Sequence, residues 1–196
     1  SYCARVSNPN NQLNLDTSAK LLKYCIEHQH WSIFEQVSFS VEIKTSRAIA
    51  AQILRHKSFS FQEFSQRYSA VTEFEPVNLR LKAEKNRQSS SAPCEDSELI
   101  QDVNTFLEGA KALYDKLLTG GVAKESARMV LPLTTKTTLY MHGTLRSWIH
   151  YVLLRNKADT QQEHREVALE VEKILGEHFP VTSEALGLCQ PSQQTS

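Results

Sequence analysis

The 196-residue chain has four cysteines and no CxxC pair. Cys3, Cys25, Cys94 and Cys189 stand far apart, which excludes a zinc ribbon or a thioredoxin-like motif and reads as free thiols in a reducing compartment. Net charge is also missing. Lys plus Arg (22) balances Asp plus Glu (22), so no global field exists to hold DNA or an acidic membrane, and any anion binding must be local. No apolar run reaches the roughly 18 residues that a bilayer span requires. GxGxxG and GxxxxGK[ST] are absent, which removes the Rossmann and P-loop readings. No GxSxG elbow occurs, and no cysteine lies beside the most cationic stretch. Nucleophilic catalysis by Ser or Cys therefore lacks support, and any hard chemistry would belong to a cofactor. The first residues, SYCARVSNPN, lack the charged-then-apolar design of a signal peptide. They also lack an initiator Met, so a fragment or a trimmed chain is expected.

The 40% apolar content is that of a globular protein with a real core. Asp16 or Thr17 is placed to cap a helix through SAKLLKYCIEH, with Leu21, Leu22, Cys25 and Ile26 on one side. VSFSVEIK alternates Val37, Phe39, Val41 and Ile43 with polar residues, which predicts a strand with one buried face. Thr45 or Ser46 would cap a short helix in RAIAAQILRH, with Ala50, Ile53 and Leu54 inward. Residues 75–97 read as a long polar surface excursion. Leu99, Val103, Phe106, Ala110, Leu113 and Leu117 predict a strong helix ended by Gly120 and Gly121. KESARMVLP reads as a shorter helix and TTKTTLYM as a strand. Thr144 would cap LRSWIHYVLLR, with Leu145, Trp148, Ile149 and Val152 as its apolar stripe. Thr160 with Glu163 fits a capping box before HREVALEVEKILGEHF, and the tail after residue 187 is expected to be disordered. The mixture is α+β: helices around a small, mainly antiparallel sheet, in one domain over residues 1–187.

LRHKSFSFQEFSQRYS (54–69) is the densest constellation. Arg55, His56, Lys57 and Arg67 surround one carboxylate, Glu63, with Phe59, Phe61, Phe64 and Tyr68 between them. Cations at a helix C-terminus offset the dipole, and that is the bland reading. Adjacent like charges repel, however, and a phosphate relieves them; Arg supplies a planar fork and Lys a point charge. Glu63 adds an acceptor that a phosphate-only site would not want, which suits a nucleotide. A second set lies downstream. Arg146 and His150 share a helix face at i, i+4, with Arg155 on an adjacent stripe. His28 and His30 form a His-x-His, but no further ligands stand at a familiar spacing, so no metal is expected. Three readings stay open on these residues: a nucleotide site, a nucleic-acid module with aromatic stacking platforms, and a solvated helical surface.

Residues 55–67, RHKSFSFQEFSQR, resemble the signature R-H-R-x-x-S-x-x-x-x-S-x-R of flavin-dependent thymidylate synthases. Arg55, His56, Ser60, Ser65 and Arg67 match, with Lys57 where Arg is usual. ARVS (4–7), HWSIFEQ (30–36), ARMVLPL (127–133) and LRSWIHYVLLR (145–155) resemble the family's other blocks in the same order. Only the start looks short, since the family usually has a strand and a helix before ARVS.

The resemblance implies reductive methylation of dUMP to dTMP, with methylenetetrahydrofolate as carbon donor, NADPH as reductant and bound FAD as hydride carrier, without a cysteine nucleophile. It implies dUMP contacts at Gln52, Arg55, Glu63, Phe64, Ser65, Gln66, Arg67, Arg128 and Arg155. Ser65 and Arg67 would hold the phosphate, Arg128 would support it, and Arg155 would face the pyrimidine as the catalytic residue. FAD contacts are implied at Ser32, Arg55, His56, Lys57, Glu63, Thr144, Leu145, Arg146 and His150, with His30 and Glu35 nearby. It also implies a homotetramer with shared sites in the cytoplasm, or a host's cytoplasm if the source is viral, with no nucleic-acid or membrane partner. Ile33, Lys57, Gln66, Thr144 and His150 depart from the usual pattern. If position 66 needed a positive φ, Gln66 would cost about 1–2 kcal/mol.

Overall fold

The computed structural model describes residues 1–67, 73–84 and 90–188. Tyr68, Cys189 and the rest of the tail lie outside the described residues. The architecture is α+β, with seven α-helices among the described residues and a small, mainly antiparallel sheet. The chain divides into two compact units, one made of Ser1–Val41 with His142–Ser196, the other of Glu42–Met141. No helix among the described residues is long and apolar enough to cross a membrane.

The first unit contains α1 (Ser18–Glu27), α5 (Leu145–Arg155), α6 (Gln162–His178) and α7 (Pro180–Leu186). Helix α1 packs on α7, and α6 packs on both α5 and α7. Leu22 and Cys25 of α1 are buried, as their spacing predicts. The expected side-chain cap is not made: Thr17 sits at the N-cap, but its hydroxyl accepts from Arg5 Nη2 at 2.8 Å. On α5 the expected cap is made, with Thr144 Oγ1 accepting from the Ser147 amide at 3.2 Å. Leu145, Trp148, Ile149 and Val152 are all buried. Trp148 stacks on Phe39 with centroids 5.1 Å apart, and its indole donates to the Phe39 carbonyl at 3.3 Å. The capping box before α6 does not form. The Thr160 amide is drawn into a turn on the Lys157 carbonyl, leaving Gln161 at the N-cap, where its amide donates to Glu163 at 2.9 Å.

The second unit contains α2 (Arg47–Ile53), β2 (Ser60–Glu63), β3 (Arg80–Lys82), β4 (Ser90–Pro93), α3 (Ser97–Thr119) and α4 (Lys124–Ala127). Strands β1 (Ser38–Ser46) and β5 (Lys136–Thr144) each begin in one unit and end in the other, and the sheet order is β1-β5-β2. Val41 and Ile43 are buried while Glu42 and Lys44 are exposed, as alternation requires. Val37, expected inside, precedes the strand and is 42% exposed; its carbonyl instead accepts from the Leu145 amide at 2.8 Å. Helix α2 follows β1 with no loop. Its first amides, of Arg47 and Ala48, donate to the Thr135 and Leu133 carbonyls at 2.9 Å, so the helix start is satisfied by backbone rather than by a Thr45 or Ser46 side chain.

Helix α3 departs furthest from expectation. Asp96 caps it by accepting from the Glu98 and Leu99 amides, and Gly120 ends it. Ala110 and Tyr114 are buried, but Leu99, Phe106 and Leu113 are 50%, 61% and 45% exposed. The helix packs on α4 and on the turn Arg128–Val130, and among the described residues much of its apolar stripe is left without cover. Within the polar excursion at 75–97, β3 and β4 pair antiparallel, Arg80 opposite Pro93 and Lys82 opposite Ser90.

The C-terminus of α1 carries a local strain. The His30 amide donates to the Cys25 carbonyl at 2.7 Å, and the Gln29 amide to the Ile26 carbonyl at 3.1 Å. This double closure puts the residue between cap and exit in the left-handed region, and that residue is Gln29, at φ 58°. A Cβ there costs about 1–2 kcal/mol, partly returned because glycine has more freedom to lose on folding. Gln29→Gly is expected to raise stability by up to about 1 kcal/mol, a rise of roughly 2–4 °C in Tm for a chain of this size. Gln29→Val is expected to lower Tm, and differential scanning calorimetry distinguishes the two.

Candidate functional site

In the second unit the stretch 54–67 leaves α2, forms β2 and turns beside β5. Arg55 and Lys57 are exposed at the end of α2, and His56 is half-buried with its ring edge-on to Phe59 at 6.4 Å. Gln52 lies one turn earlier, its carbonyl accepting from the Arg55 amide at 3.3 Å. Phe59 and Phe61 are partly buried against each other at 6.3 Å, so they do not stand out as open stacking platforms. Phe64 is exposed beside Tyr140.

Glu63 is the centre of this region. Its Oε1 accepts from Thr137 Oγ1 at 2.8 Å and pairs with Arg47 Nη1 at 3.1 Å. Arg47 Nη2 donates to the Phe64 carbonyl at 3.2 Å, and the Phe64 amide donates to Thr138 at 3.0 Å. Ser65 Oγ accepts from the Arg67 amide at 3.3 Å, which tightens the turn after β2. Arg67 itself pairs with Glu125 at 3.2 Å; both are exposed, so the pair is worth little. Arg128 Nε donates to the Glu125 carbonyl at 3.3 Å.

Beneath the turn lies a cavity of about 240 Å³, lined by Arg47, Gln66 and Arg128 together with Leu131 and Leu133. Gln66 is only 5% exposed and does not have a positive φ, so the steric cost weighed from the sequence is not incurred. Gln66 Nε2 and Arg47 Nε are buried without an acceptor among the described residues. A buried donor left unpaired costs about 1–3 kcal/mol. Two such donors on one cavity wall beside a second guanidinium make a wall suited to an oxygen-rich anion. Sequence reasoning missed Arg47 and Thr137: Arg47 carries no motif, and nothing local signals that it faces Glu63.

In the first unit the turn Trp31–Glu35 follows α1 and packs on α5. Arg146 donates to the Glu35 carboxylate. Trp31 lies over the His150 ring at 4.4 Å. Ser32 is exposed on the same turn. Thr144 Oγ1 caps the helix, and Leu145 is buried with its amide donating to the Val37 carbonyl. Arg155 ends α5 roughly 13 Å further along the helix than Arg146. The turn after it is fixed. Asn156 donates to the buried Glu172 of α6, and Arg165 Nε donates to the Asn156 carbonyl at 3.1 Å. Burial pushes the Tyr151 phenol upward, and the Arg155 charge opposes it.

His28 and His30 meet rings rather than a metal. Tyr24 stacks on His28 at 3.9 Å, and His30 lies 6.1 Å from both. Among the described residues no group of three His, Cys, Asp or Glu is arranged to hold a metal ion. Cys3, Cys25 and Cys94 are free thiols, and burial pushes the Cys25 thiol up.

His150 is held below the ordinary histidine value, first by burial and then by the neighbouring Arg146 charge. A native state that resists protonating this ring binds fewer protons than the unfolded chain below the usual histidine pKa of about 6.5. Its contribution to stability is therefore lost as pH falls through that value. His150→Asn is expected to flatten the fall of Tm between about pH 7 and pH 5.5, read from thermal melts in buffers of matched ionic strength.

The sequence matches the family described as thymidylate synthase complementing protein over residues 1–181. It is 50% identical over 189 residues to a probable flavin-dependent thymidylate synthase of Paramecium bursaria Chlorella virus 1, covering 94% of this chain and 88% of that protein. It is 51% identical over 188 residues to the flavin-dependent thymidylate synthase of Synechocystis sp., covering 94% and 86%. Among solved structures, the UMP/dUMP methylase PolB of Streptomyces cacaoi bound with 5-Br dUMP superposes with a TM-score of 0.84 at 28% identity, covering 95% of this chain and 87% of that one. The signature at 55–67, whose Gln66 lines the cavity, and the match along nearly the whole chain agree: the chain belongs to the flavin-dependent thymidylate synthase family.

Proposed function

We propose that this enzyme methylates dUMP to dTMP, with methylenetetrahydrofolate giving the carbon, NADPH the reducing power and FAD bound as hydride carrier. The observation that carries the reading is the cavity of Arg47, Gln66 and Arg128, in which Gln66 belongs to the family signature and Arg47 pairs with that signature's Glu63. Arg67 and Arg128 receive the nucleotide phosphate, with the Ser65 hydroxyl as a further donor. Arg67 exchanges its weak surface pair with Glu125 for a phosphate, a stronger partner for a guanidinium. Glu63, Phe64, Gln66, Gln52 and Arg55 complete the nucleotide contacts. Arg155 faces the pyrimidine and stabilises the negative charge that develops on the ring as C5 becomes nucleophilic.

The residues assigned to FAD fit such a group in their donor chemistry. Arg55, Lys57 and Arg146 are cations suited to a pyrophosphate, and His56, Ser32 and Glu63 add hydrogen-bonding groups. The Trp31 and His150 rings, tilted 57° to each other, offer aromatic faces, with His30 and Glu35 close by in sequence. Bound FAD would supply two-electron transfer between NADPH and the methylated pyrimidine. Thr144 and Leu145 contribute through the helix they start rather than by their side chains. The reading needs no thiol nucleophile, and Cys25, buried and with its thiol pushed up, is poorly suited to be one. A second copy of the chain is the natural cover for Leu99, Phe106 and Leu113 on α3, which supports a homotetramer. With balanced charge and no cationic field, the protein works on small molecules in the cytoplasm.

Purified protein is expected to be yellow and to bleach anaerobically with NADPH and dUMP. Colourless protein that cannot be reconstituted with FAD overturns the reading. Arg67→Ala is expected to weaken dUMP binding about ten- to a hundredfold while leaving flavin content unchanged, since one charged hydrogen bond is worth roughly 1.5–3 kcal/mol. Arg155→Ala is expected to cripple dTMP formation far more than flavin binding. Isothermal titration, flavin absorbance and single-turnover product assays separate these effects.

A further inference from the structure

We infer that Arg47, which lies outside the family signature, is a positioning residue for the nucleotide site, setting the Glu63 carboxylate and the backbone that leads into Ser65, Gln66 and Arg67. The inference rests on the function proposed above and deepens it.

Three observations meet at this side chain. One guanidinium nitrogen pairs with Glu63 Oε1 at 3.1 Å, and the other terminal nitrogen holds the Phe64 carbonyl at 3.2 Å. A single planar group thus grips a side chain and the peptide just after it. Both carboxylate and guanidinium are roughly three-quarters buried, with side-chain exposures of 22% and 26%, so the pair is screened far less than the surface pair of Arg67 and Glu125. Arg47 also lines the same cavity as Gln66 and Arg128. Its own place is fixed by backbone, because it is the first residue of α2 and its amide is bonded to Thr135 on the approach to β5.

The arrangement explains how an acceptor can sit within a cationic site. A carboxylate beside a phosphate pocket would repel the phosphate if it were loose. With Arg47 and Thr137 both on Oε1, its charge is answered from one side, and Oε2 is left to accept from a hydroxyl or an imino N–H of the ligand. Lysine at position 47 could answer the charge, but it could not hold the Phe64 carbonyl with a second arm in the same plane. The role therefore depends on the shape of the guanidinium as well as on its charge.

The test uses the full-length flavoprotein and dUMP as probe. Arg47→Met is expected to weaken dUMP binding at least tenfold while kcat at saturating dUMP falls less than threefold. Glu63→Gln is then combined with it. Because Arg47 acts through Glu63, the double variant is expected to bind dUMP no more than about twofold worse than the weaker single variant. Arg47→Lys, which guards against misfolding of the methionine variant, is expected to lose at least threefold in dUMP affinity. Unchanged affinity in Arg47→Met, fully additive losses in the double variant, or an Arg47→Lys variant equal to the parent would each overturn the inference. A parental protein that binds FAD but no dUMP would instead sink the proposed function, and this inference with it.

Discussion

Glu63 carries a negative charge into a half-buried place on a short edge strand, and its neighbours in the second unit are arranged to answer it. Thr137 reaches across from the neighbouring strand, Arg47 from the start of a helix, and the same arginine secures the peptide after the carboxylate. An ion pair at this depth is not chiefly a source of stability, because desolvation takes back much of the Coulombic gain. What it supplies is geometry. The three partners come from three different elements, so the turn carrying Ser65, Gln66 and Arg67 starts from a fixed point.

The second constraint is covalent. Strand β1 becomes α2 between Ser46 and Arg47, and β5 becomes α5 between Thr144 and Leu145, with no residue in between. A strand running straight into a helix cannot shift its register without rotating that helix. In one unit this ties Arg47 and Gln52 to the sheet; in the other it ties Arg146, His150 and Arg155 to the cap made by Thr144. Binding groups on elements held this way need little ordering when a ligand arrives, which lowers the entropic cost of binding.

Much of this was legible in the sequence, and the failures have identifiable causes. The buried stripe of α5, its Thr144 cap and the alternation of Val41 and Ile43 follow from periodicity and local hydrogen bonding, and the chain obeys both. Thr17 and Thr160 were plausible caps by the same rules, but Arg5 and the Lys157 carbonyl took their hydrogen bonds instead. Leu99, Phe106 and Leu113 were read correctly as marking a helix, and their exposure was not legible, because periodicity tells that a face wants cover and not what provides it. The signature displayed Glu63 among cations, yet its closest cation, Arg47, lies 16 positions earlier and belongs to no pattern. Local sequence rules reach about one helical turn, and this pairing is made by the sheet.

The surface pair of Arg67 with Glu125 also bears on how the enzyme responds to ionic conditions. Before any ligand arrives, Arg67 is already partly neutralised by a carboxylate of its own chain. On the proposed function, taking up a phosphate there is an exchange of one anion for another, and dissolved ions screen both sides of that exchange. On that same reading Glu125 is a built-in competitor, and the nucleotide's affinity drifts with electrolyte more gently than an unpaired Arg67 would dictate.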